Sequence, residues 1–413
     1  MDQEPVIIAG AGPGGLIAAL ALHQRGIPVR VFESVQTLKP LGVGINLLPH
    51  SVRILHALGL REDLERLAVL TSELRYTNKF GQLIWAEPRG HAAGYAFPQY
   101  SIHRGQLQIL LYDVARARLG EAQLCTGMTL DDWHEHASGL AVQFKDAHGQ
   151  TQTVTGRCLI ASDGIRSAAR RKLHPGEGEP IYAGRVLWRA ISPGQPYLDG
   201  RTMIMAGHQN QKFVCYPINP HLNAHGQADI NWVAELYMPD WIPPKQDWNR
   251  EVSRDRFAAA FQTWRFDWLD VPGLIESAGT VYEYPLVDRD PLERWTYGRM
   301  TLLGDAAHPM YPIGSNGASQ AILDAEALAD QLAAYSHVEE ALAAYENARR
   351  PPTSKIVLMN RQNGPEQVMQ LAEERAPNGF ADVHDVIPHQ ELEEISLRYK
   401  QAAGFAVSQV NRS

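Results

Sequence analysis

The opening run Val6-Ile7-Ile8-Ala9, followed directly by Gly10-Ala11-Gly12-Pro13-Gly14-Gly15, constrains this chain more than any other stretch. Four apolar residues, a turn with glycines at the first, third and sixth places, and the alanine-rich segment Leu16 to Arg25 predict a strand, a tight turn and a helix start. Gly10 allows the turn, Gly12 lets a ligand approach the backbone, and Gly15 lets helix and strand pack closely, with Gly14 on the same turn. The free N–H groups of the helix start then favour a dinucleotide pyrophosphate. The second apolar run, Val29-Arg30-Val31-Phe32, ends at Glu33, where a carboxylate accepts hydrogen bonds from adenosine ribose hydroxyls. A carboxylate there disfavours a ribose phosphate, so FAD or NAD fits better than NADP.

With 413 residues, 45% of them hydrophobic, the chain can bury a large core and is predicted to form two domains. Lys and Arg number 38 against 46 Asp and Glu, a net charge of -8, and no basic block points to nucleic acid. Cys125, Cys158 and Cys215 lie far apart and form no metal-ligand spacing, so they read as core thiols of a reducing compartment, with no metal. The first apolar segment lacks a basic leader and is broken by the glycine turn, so neither a signal peptide nor a membrane anchor is expected. The reading is a cytoplasmic protein with a small-molecule ligand. A homodimer is left open.

Further along, Pro40 to Asn46 form a glycine-rich loop, and helices are predicted from Pro49 to Leu58 and from Gln106 to Leu119. Hairpins are expected at Glu73 to Trp85 and Leu140 to Val154. The buried strand Cys158 to Ala161 feeds Ser162-Asp163-Gly164, which taken alone also reads as a structural turn. From Tyr182 to Tyr284 short strands such as Val186 to Arg189, Thr202 to Met205, Phe213 to Tyr216 and Ile230 to Val233 predict a mainly antiparallel sheet. A tryptophan-rich helix from Trp248 to Trp268 is expected to cover it. The strand Met300 to Leu303 runs into Gly304-Asp305, and a helix follows to Tyr335. Another runs from Val338 to Arg350, stopped by Pro351-Pro352.

Asp305 could serve as a helix cap only. Together with the helix start near Gly314 to Gly317 it makes a better site for a flavin: the carboxylate accepts from the ribityl polyol, and the helix end favours negative charge on the reduced ring. The three motifs Gly10 to Gly15, Asp163-Gly164 and Gly304-Asp305, in this order and at these separations, resemble the single-component flavin-dependent aromatic hydroxylases. Pro40 to Asn46, Trp85 to Gly90, Pro98 to Gly105 and the stretch from Tyr284 through Pro291 to Asn316 to Gln320 narrow the likeness to phenazine-modifying members.

The resemblance implies an α/β fold: a Rossmann-like FAD domain (1–75, 100–181 and 285–352), an inserted mainly antiparallel substrate domain (76–99 and 182–284), and a C-terminal helical tail (353–413). It implies that Arg104 holds the ribityl-phosphate region, Met128 lies beside adenine, and Asp163 with Gly164 serves both FAD and a transient NADH or NADPH. Asp305 would take the ribityl chain, Pro312, Gly314 and Gly317 would flank the isoalloxazine, and Gly42 to Gly44 would give it room to swing. Arg104 could instead pair with a nearby acid. Trp188, Arg189, Tyr216 and Tyr311 are the candidates for substrate contact, with Trp188 expected to wall a flat slot and Arg189 to point away. No residue is singled out as general acid or base. The implied reaction uses oxygen to hydroxylate an aromatic ring, in the phenazine reading a carboxylic acid that loses carbon dioxide, or alternatively a single-ring, salicylate-like acid. A flavin disulfide reductase would need a cysteine pair near the first motif, which is absent. A plain NAD dehydrogenase would leave the Gly304-Asp305 turn without a role, and a non-catalytic FAD-binding protein stays open.

Overall fold

A computed structural model describes residues 4–136, 139–243 and 250–412. Val6–Ala9 is apolar on both faces and is therefore stable only as a central strand covered on both sides. It pairs in parallel with Val29–Glu33 and with Cys158–Ala161. Met300–Leu302 adds in parallel beyond Cys158–Ala161, Leu124–Thr126 adds in parallel beyond Val29–Glu33, and Thr296–Tyr297 closes one edge antiparallel. Because the inner strands are parallel, their carboxyl ends share one edge. Gly10, Glu33, Met128, Asp163 and Asp305 all follow or end these strands, so the motifs converge there.

A second sheet of eight strands holds Arg250–Glu251, Tyr282–Asp288, Ile181–Gly194, Ala228–Tyr237, Gln211–Pro217, Thr202–His208, Glu73–Thr77 and Leu83–Pro88, in that order. All its neighbours are antiparallel except Glu73–Thr77 against Thr202–His208. The expected boundary at residue 76 thus falls inside a strand of this sheet. Side-chain alternation sorts two faces. Trp188, Ile204, Phe213 and Trp232 pack on one side with Phe257, Phe261 and Trp264. Met203, Met205, Val214 and Tyr216 pack on the other with Val368, Met369, Leu392 and Ile395.

The first face corrects one expectation. The Trp188 indole stacks on Phe257 with ring centroids 4.8 Å apart and donates to Glu283 Oε2 at 3.0 Å. It belongs to the aromatic core and walls no slot, because the aromatic-rich layer beneath the sheet takes the large ring and leaves the charged neighbour Arg189 to the other face. That layer is not the expected helix either. Residues 250–270 form the short strand Arg250–Glu251, 3-10 turns at Arg254–Arg256 and Ala258–Phe261, and the small hairpin of Arg265–Phe266 with Leu269–Asp270. The Ser253 side chain caps its turn locally, and Trp248 lies outside the described residues.

The expected stop at Pro351-Pro352 is also overturned: one helix runs from Val338 to Arg361. Proline inside a helix costs about 3 kcal/mol through a lost N–H bond and a ring clash. Here Thr353, Ile356, Val357 and Asn360 just beyond are all buried, and burial of that turn offsets the cost. The boundary expected at 352 therefore cuts a continuous helix. Among the described residues no helix is long and apolar enough to cross a membrane.

Residues 364–412 close over the second sheet, held by helices Gln367–Arg375 and His389–Ala402 and by two buried ionic groups. Lys212 Nζ lies 2.6 Å from Glu366 and 3.0 Å from Glu235. Glu87 meets Arg89 at 2.9 Å and Lys400 at 3.0 Å. Burial alone would raise the Glu87 carboxyl, but Arg89 and Lys400 with hydrogen bonds from Ser396 and Trp85 outweigh it and hold it down at about 2. A depressed folded pKa stabilises above the unfolded value and loses that contribution as pH falls through it. Urea unfolding should therefore show a loss of about 3 kcal/mol between pH 5 and pH 2 that Glu87→Gln lacks. Equal acid limbs in both proteins would contradict this role.

Candidate active site

Three of the glycines at the carboxyl edge do different work. At Gly10, φ is +108°, and a Cβ there would fall 2.3 Å from the Ser162 carbonyl oxygen. At Gly15 a Cβ would fall 2.1 Å from the Gly10 carbonyl oxygen, so helix Pro13–Gln24 can approach the strand only without a side chain. A Cβ on Gly12 would meet nothing within 4 Å and would project toward free space. The helix starts with no side-chain cap and no acid in its first turn, which leaves its first N–H groups for an anion. The protein itself needs Gly10 and Gly15 bare. Only a ligand needs Gly12 bare.

That free space is a solvent-open cleft of about 2350 Å³ lined by Gly12, Glu33, Arg104, Met128, Asp163 and Arg189, among others. Glu33 Oε2 accepts from Ala11 N at 2.7 Å and Oε1 from Val35 N at 2.8 Å, so this acid also braces the glycine turn. Met128 N donates to the Glu33 carbonyl at 2.8 Å, which fixes its side chain beside that end of the cleft. Asp163 Oδ2 accepts from Ala168 N at 2.7 Å, whereas Oδ1 is buried with no partner, and burial pushes the carboxyl above its usual range. An unpaired acceptor lining a cleft is a place for a ligand donor. Arg104 opens its helix and lines the cleft, and Asp305 is exposed at the same sheet edge. The surrounding protein raises the Asp305 carboxyl, while His308 and Arg104 act against the rise. A bare anion cradle, carboxylates for polyol and ribose hydroxyls, and an orphaned acceptor between them fit FAD.

The Gly304-Asp305 turn rests on a buried group that the sequence did not single out. Asp324, fully buried on helix Gly317–Ala334, accepts from Gly304 N at 3.2 Å and Arg349 Nε at 2.7 Å and lies 2.5 Å from His308 Nε2. Burial opposes its charge, but His308 and Arg349 outweigh that and lower its carboxyl. The available signal was an aspartate on the apolar face of an otherwise alanine- and leucine-rich helix.

Pro312 ends the chain's run toward the turn Ile313–Ser315, in which Gly314 has φ +69° and Ser315 φ +53°. A Cβ on Gly314 would lie 2.3 Å from Tyr399 Oη, so a residue of the C-terminal tail, and not a ligand, requires this glycine. Gly317 opens its helix uncapped and without acids in the first turn, as an anion-facing end would. Gly44 differs from its expected role. Its N–H donates to Asn231 Oδ1 at 2.7 Å, its carbonyl accepts from Arg189 Nη2 at 3.1 Å, and a Cβ would collide with Tyr216 and Asn231. It docks the strand Gly44–Leu47, which belongs to a separate three-stranded sheet, against the second sheet. Room beside the cleft exists at Gly42, where only Arg104 Cδ comes within 4 Å.

Behind the cleft, a cavity of about 70 Å³ lies between the second sheet and the Pro312–Ser315 segment, walled by Met203, Met205, Val214, Tyr216 and Ile313, with Lys212, Glu235 and Glu366 also in its lining. Arg189 lines both the cleft and this cavity, with its Nε unpartnered. Burial pushes the Tyr216 phenol up to about 12 against the pull of Arg189, so it stays a donor. Of the four substrate candidates, the structure brings Arg189 and Tyr216 together beside Pro312. Trp188 lies on the opposite face, and Tyr311 is buried among Leu187, Leu286 and Ile313. Met203, Met205, Val214 and Lys212 were missed: period-two alternation identifies one face but not which face meets the ligand.

The sequence profile of the FAD binding domain family matches residues 3–359. The phenazine 1,6-dicarboxylic acid hydroxylase PhzS of Lysobacter antibioticus is 46% identical over 369 residues, covering 87% of this chain and 89% of that protein. The 6-hydroxynicotinate 3-monooxygenase of Pseudomonas fluorescens is 30% identical over 379 residues, covering 88% and 92%. Among solved structures, Klebsiella pneumoniae HpxO complexed with FAD and uric acid superposes with a TM-score of 0.75 at 22% identity, covering 98% of this chain and 96% of that one. A salicylate hydroxylase substrate complex gives 0.74 at 24%, covering 99% and 97%. These two describe the fold.

The three glycines separate by experiment. Gly12→Ala should leave thermal unfolding of the flavin-free protein within about 0.5 kcal/mol of the parent and lower flavin affinity at least tenfold. Gly15→Ala should cost the protein itself about 1–3 kcal/mol or more. Normal flavin titration of Gly12→Ala would remove that residue from the cradle.

Proposed function

The chain belongs to the FAD binding domain family and is a flavin-dependent aromatic monooxygenase, and from that premise we propose that it hydroxylates a phenazine carboxylic acid at the carbon bearing the carboxylate. The balance is one carboxylic acid, one oxygen molecule, one NADH or NADPH and one proton, giving a hydroxyphenazine, carbon dioxide, water and the oxidised nicotinamide. The observation that carries the reading is the apolar cavity beside Pro312, with Arg189 and Tyr216 between it and the cleft. The 46% identity to a phenazine dicarboxylate hydroxylase supports the same substrate class.

FAD, when bound, supplies the electron transfer from the nicotinamide and the activation of oxygen. Gly10, Gly12, Gly14 and Gly15 cradle the pyrophosphate, Glu33 and Met128 hold the adenosine end, and Arg104, Asp163 and Asp305 hold the middle. The uncapped helix start at Gly317 would favour negative charge on a bound flavin ring. Arg189 takes the substrate carboxylate, replacing the expectation that it points away from the ligand. Tyr216 donates beside it, and Met203, Met205, Val214 and Ile313 exclude water from the reacting carbon.

Product analysis tests the reading. With oxygen, NADH and a phenazine carboxylate, the enzyme should form hydroxyphenazine and carbon dioxide in equal amounts. NADH oxidation should be faster with that substrate than without it. Arg189→Met should raise KM for the carboxylate about 10- to 100-fold, as loss of a charge-assisted hydrogen bond implies. If phenazines are untouched while salicylate-like acids are converted, the substrate class is overturned.

A further inference from the structure

Among the described residues three other than glycine hold a left-handed backbone, and two of them, Ser315 and Asn363, lie in turns that pack on each other. Ser315 has φ +53° and follows Gly314 at +69°, while Asn363 has φ +65° and precedes Gly364 at +45°. A Cβ on Gly364 would fall 3.1 Å from Ile313 Cγ2 and 3.1 Å from Tyr399 Cε2, and one on Gly314 would fall 2.3 Å from Tyr399 Oη. The Tyr399 ring therefore fills the space between the two turns. Strained backbone of this kind persists only where its surroundings dictate it.

The surroundings here are side chains that hold carbonyls. Tyr399 Oη lies 3.2 Å from the Ile313 carbonyl oxygen and 3.0 Å from Asn360 Oδ1, and its one proton serves both. Asn360 Nδ2 donates to the Tyr311 carbonyl at 3.0 Å. Both side chains are buried, and burial pushes the Tyr399 phenol up, so it stays a donor. The carbonyls of both neighbours of Pro312 are thus held by residues beyond the span 3–359 that the family profile matches. Asn360 reaches this place because helix Val338–Arg361 continues through Pro351 and Pro352, and Arg361 anchors the helix end to Asp288 of the second sheet at 2.7 and 3.0 Å. Little slack remains. The space between sheet and tail beside Gly314 is about 20 Å³, room for about one water.

We propose that Tyr399, together with Asn360, is a positioning residue for the flavin: it clamps Ile313–Ser315 so that the Gly314 N–H and the uncapped helix start at Gly317 meet the ring edge that gains negative charge on reduction. In a trans peptide the C=O and the next N–H point opposite ways, so holding the Ile313 carbonyl on the phenol turns the Gly314 N–H away from the tail. The Ser315 N–H is taken inside the turn, by the Pro312 carbonyl at 3.0 Å. Donors fixed in advance need no reorganisation when charge arrives, so they bind the reduced ring more tightly than the oxidised one and raise its reduction potential. The inference rests on the placement of residues 312–317 beside the flavin ring and is independent of which aromatic acid is the substrate.

The midpoint potential of bound FAD, measured by equilibration with reference dyes, tests the clamp. Gly317→Asp checks the placement: a Cβ there meets nothing nearer than Met310 Cγ at 3.7 Å, so the side chain fits. Its carboxylate should lower the affinity for the reduced ring relative to the oxidised ring more than tenfold, a drop of more than about 30 mV. Tyr399→Phe keeps the aromatic ring and removes the clamp, and the same ratio should fall about three- to tenfold, or about 15–30 mV. Adding Ser315→Gly should recover at least half of that drop, since glycine takes the left-handed turn without being held. Asn360→Ala frees the Tyr311 carbonyl and should lower the potential as well, which carries the test if Tyr399→Phe does not fold. The clamp is overturned if Gly317→Asp lowers the potential while Tyr399→Phe and Asn360→Ala leave it unchanged, or if Ser315→Gly recovers nothing. No effect of Gly317→Asp overturns the placement of the segment, and the clamp with it.

Discussion

The contact between Gly15 and the Gly10 carbonyl oxygen sets the geometry on which the rest depends. With no side chain at either place, helix Pro13–Gln24 starts against the end of the central strand, and its free N–H groups reach the edge where four other strands finish. Parallel pairing does the remainder. Once Val6–Ala9 is fixed between Val29–Glu33 and Cys158–Ala161, the acid at Glu33, the turn at Asp163 and the turn at Asp305 must lie along one edge of the sheet. The brace at Asp324 then holds the last of these turns from behind, with Arg349 and His308 keeping its buried charge paired.

The second sheet solves a different problem, since it must bury one face in an aromatic layer and leave the other for a ligand. Side-chain alternation places Trp188 and Trp232 beneath and Arg189, Met203 and Tyr216 above. The upper face would be an exposed apolar surface were it not for the chain's last helices, which cover it and leave cavities beneath. Tyr399 from that tail packs so closely on Gly314 that the Pro312–Ser315 segment and the C-terminus behave as one wall. The tail therefore shapes the active site although its sequence carries no motif.

Gly44 and Arg189 tie the strand Gly44–Leu47 to the second sheet at the point where cleft and cavity meet. The Gly44 carbonyl takes one Arg189 N–H while its own N–H goes to Asn231, so the arginine's head is positioned by the strand Gly44–Leu47 and its stem by the second sheet. An arginine fixed in this way can serve a substrate carboxylate without losing much rotamer freedom on binding.

Sequence by itself determined the strand-turn-helix at Gly10 to Gly15, the order of the later motifs at Asp163 and Asp305, the antiparallel character of 182–284 and the family likeness. Each of these is written in local chemistry: a glycine pattern, a strand-end acid, period-two alternation. Only the tertiary structure decided that Trp188 faces away and Arg189 inward, that Gly314 is bare for Tyr399, that Pro351 and Pro352 lie inside a helix, and that Glu87, Arg89 and Lys400 meet at one cavity. The physical reason is the same in each case. Which face of a strand is buried, which helix tolerates a proline and which charges pair depend on the neighbour that packs there, and Glu87 and Lys400, 313 positions apart along the chain, become neighbours only once the tail has folded back over the sheet.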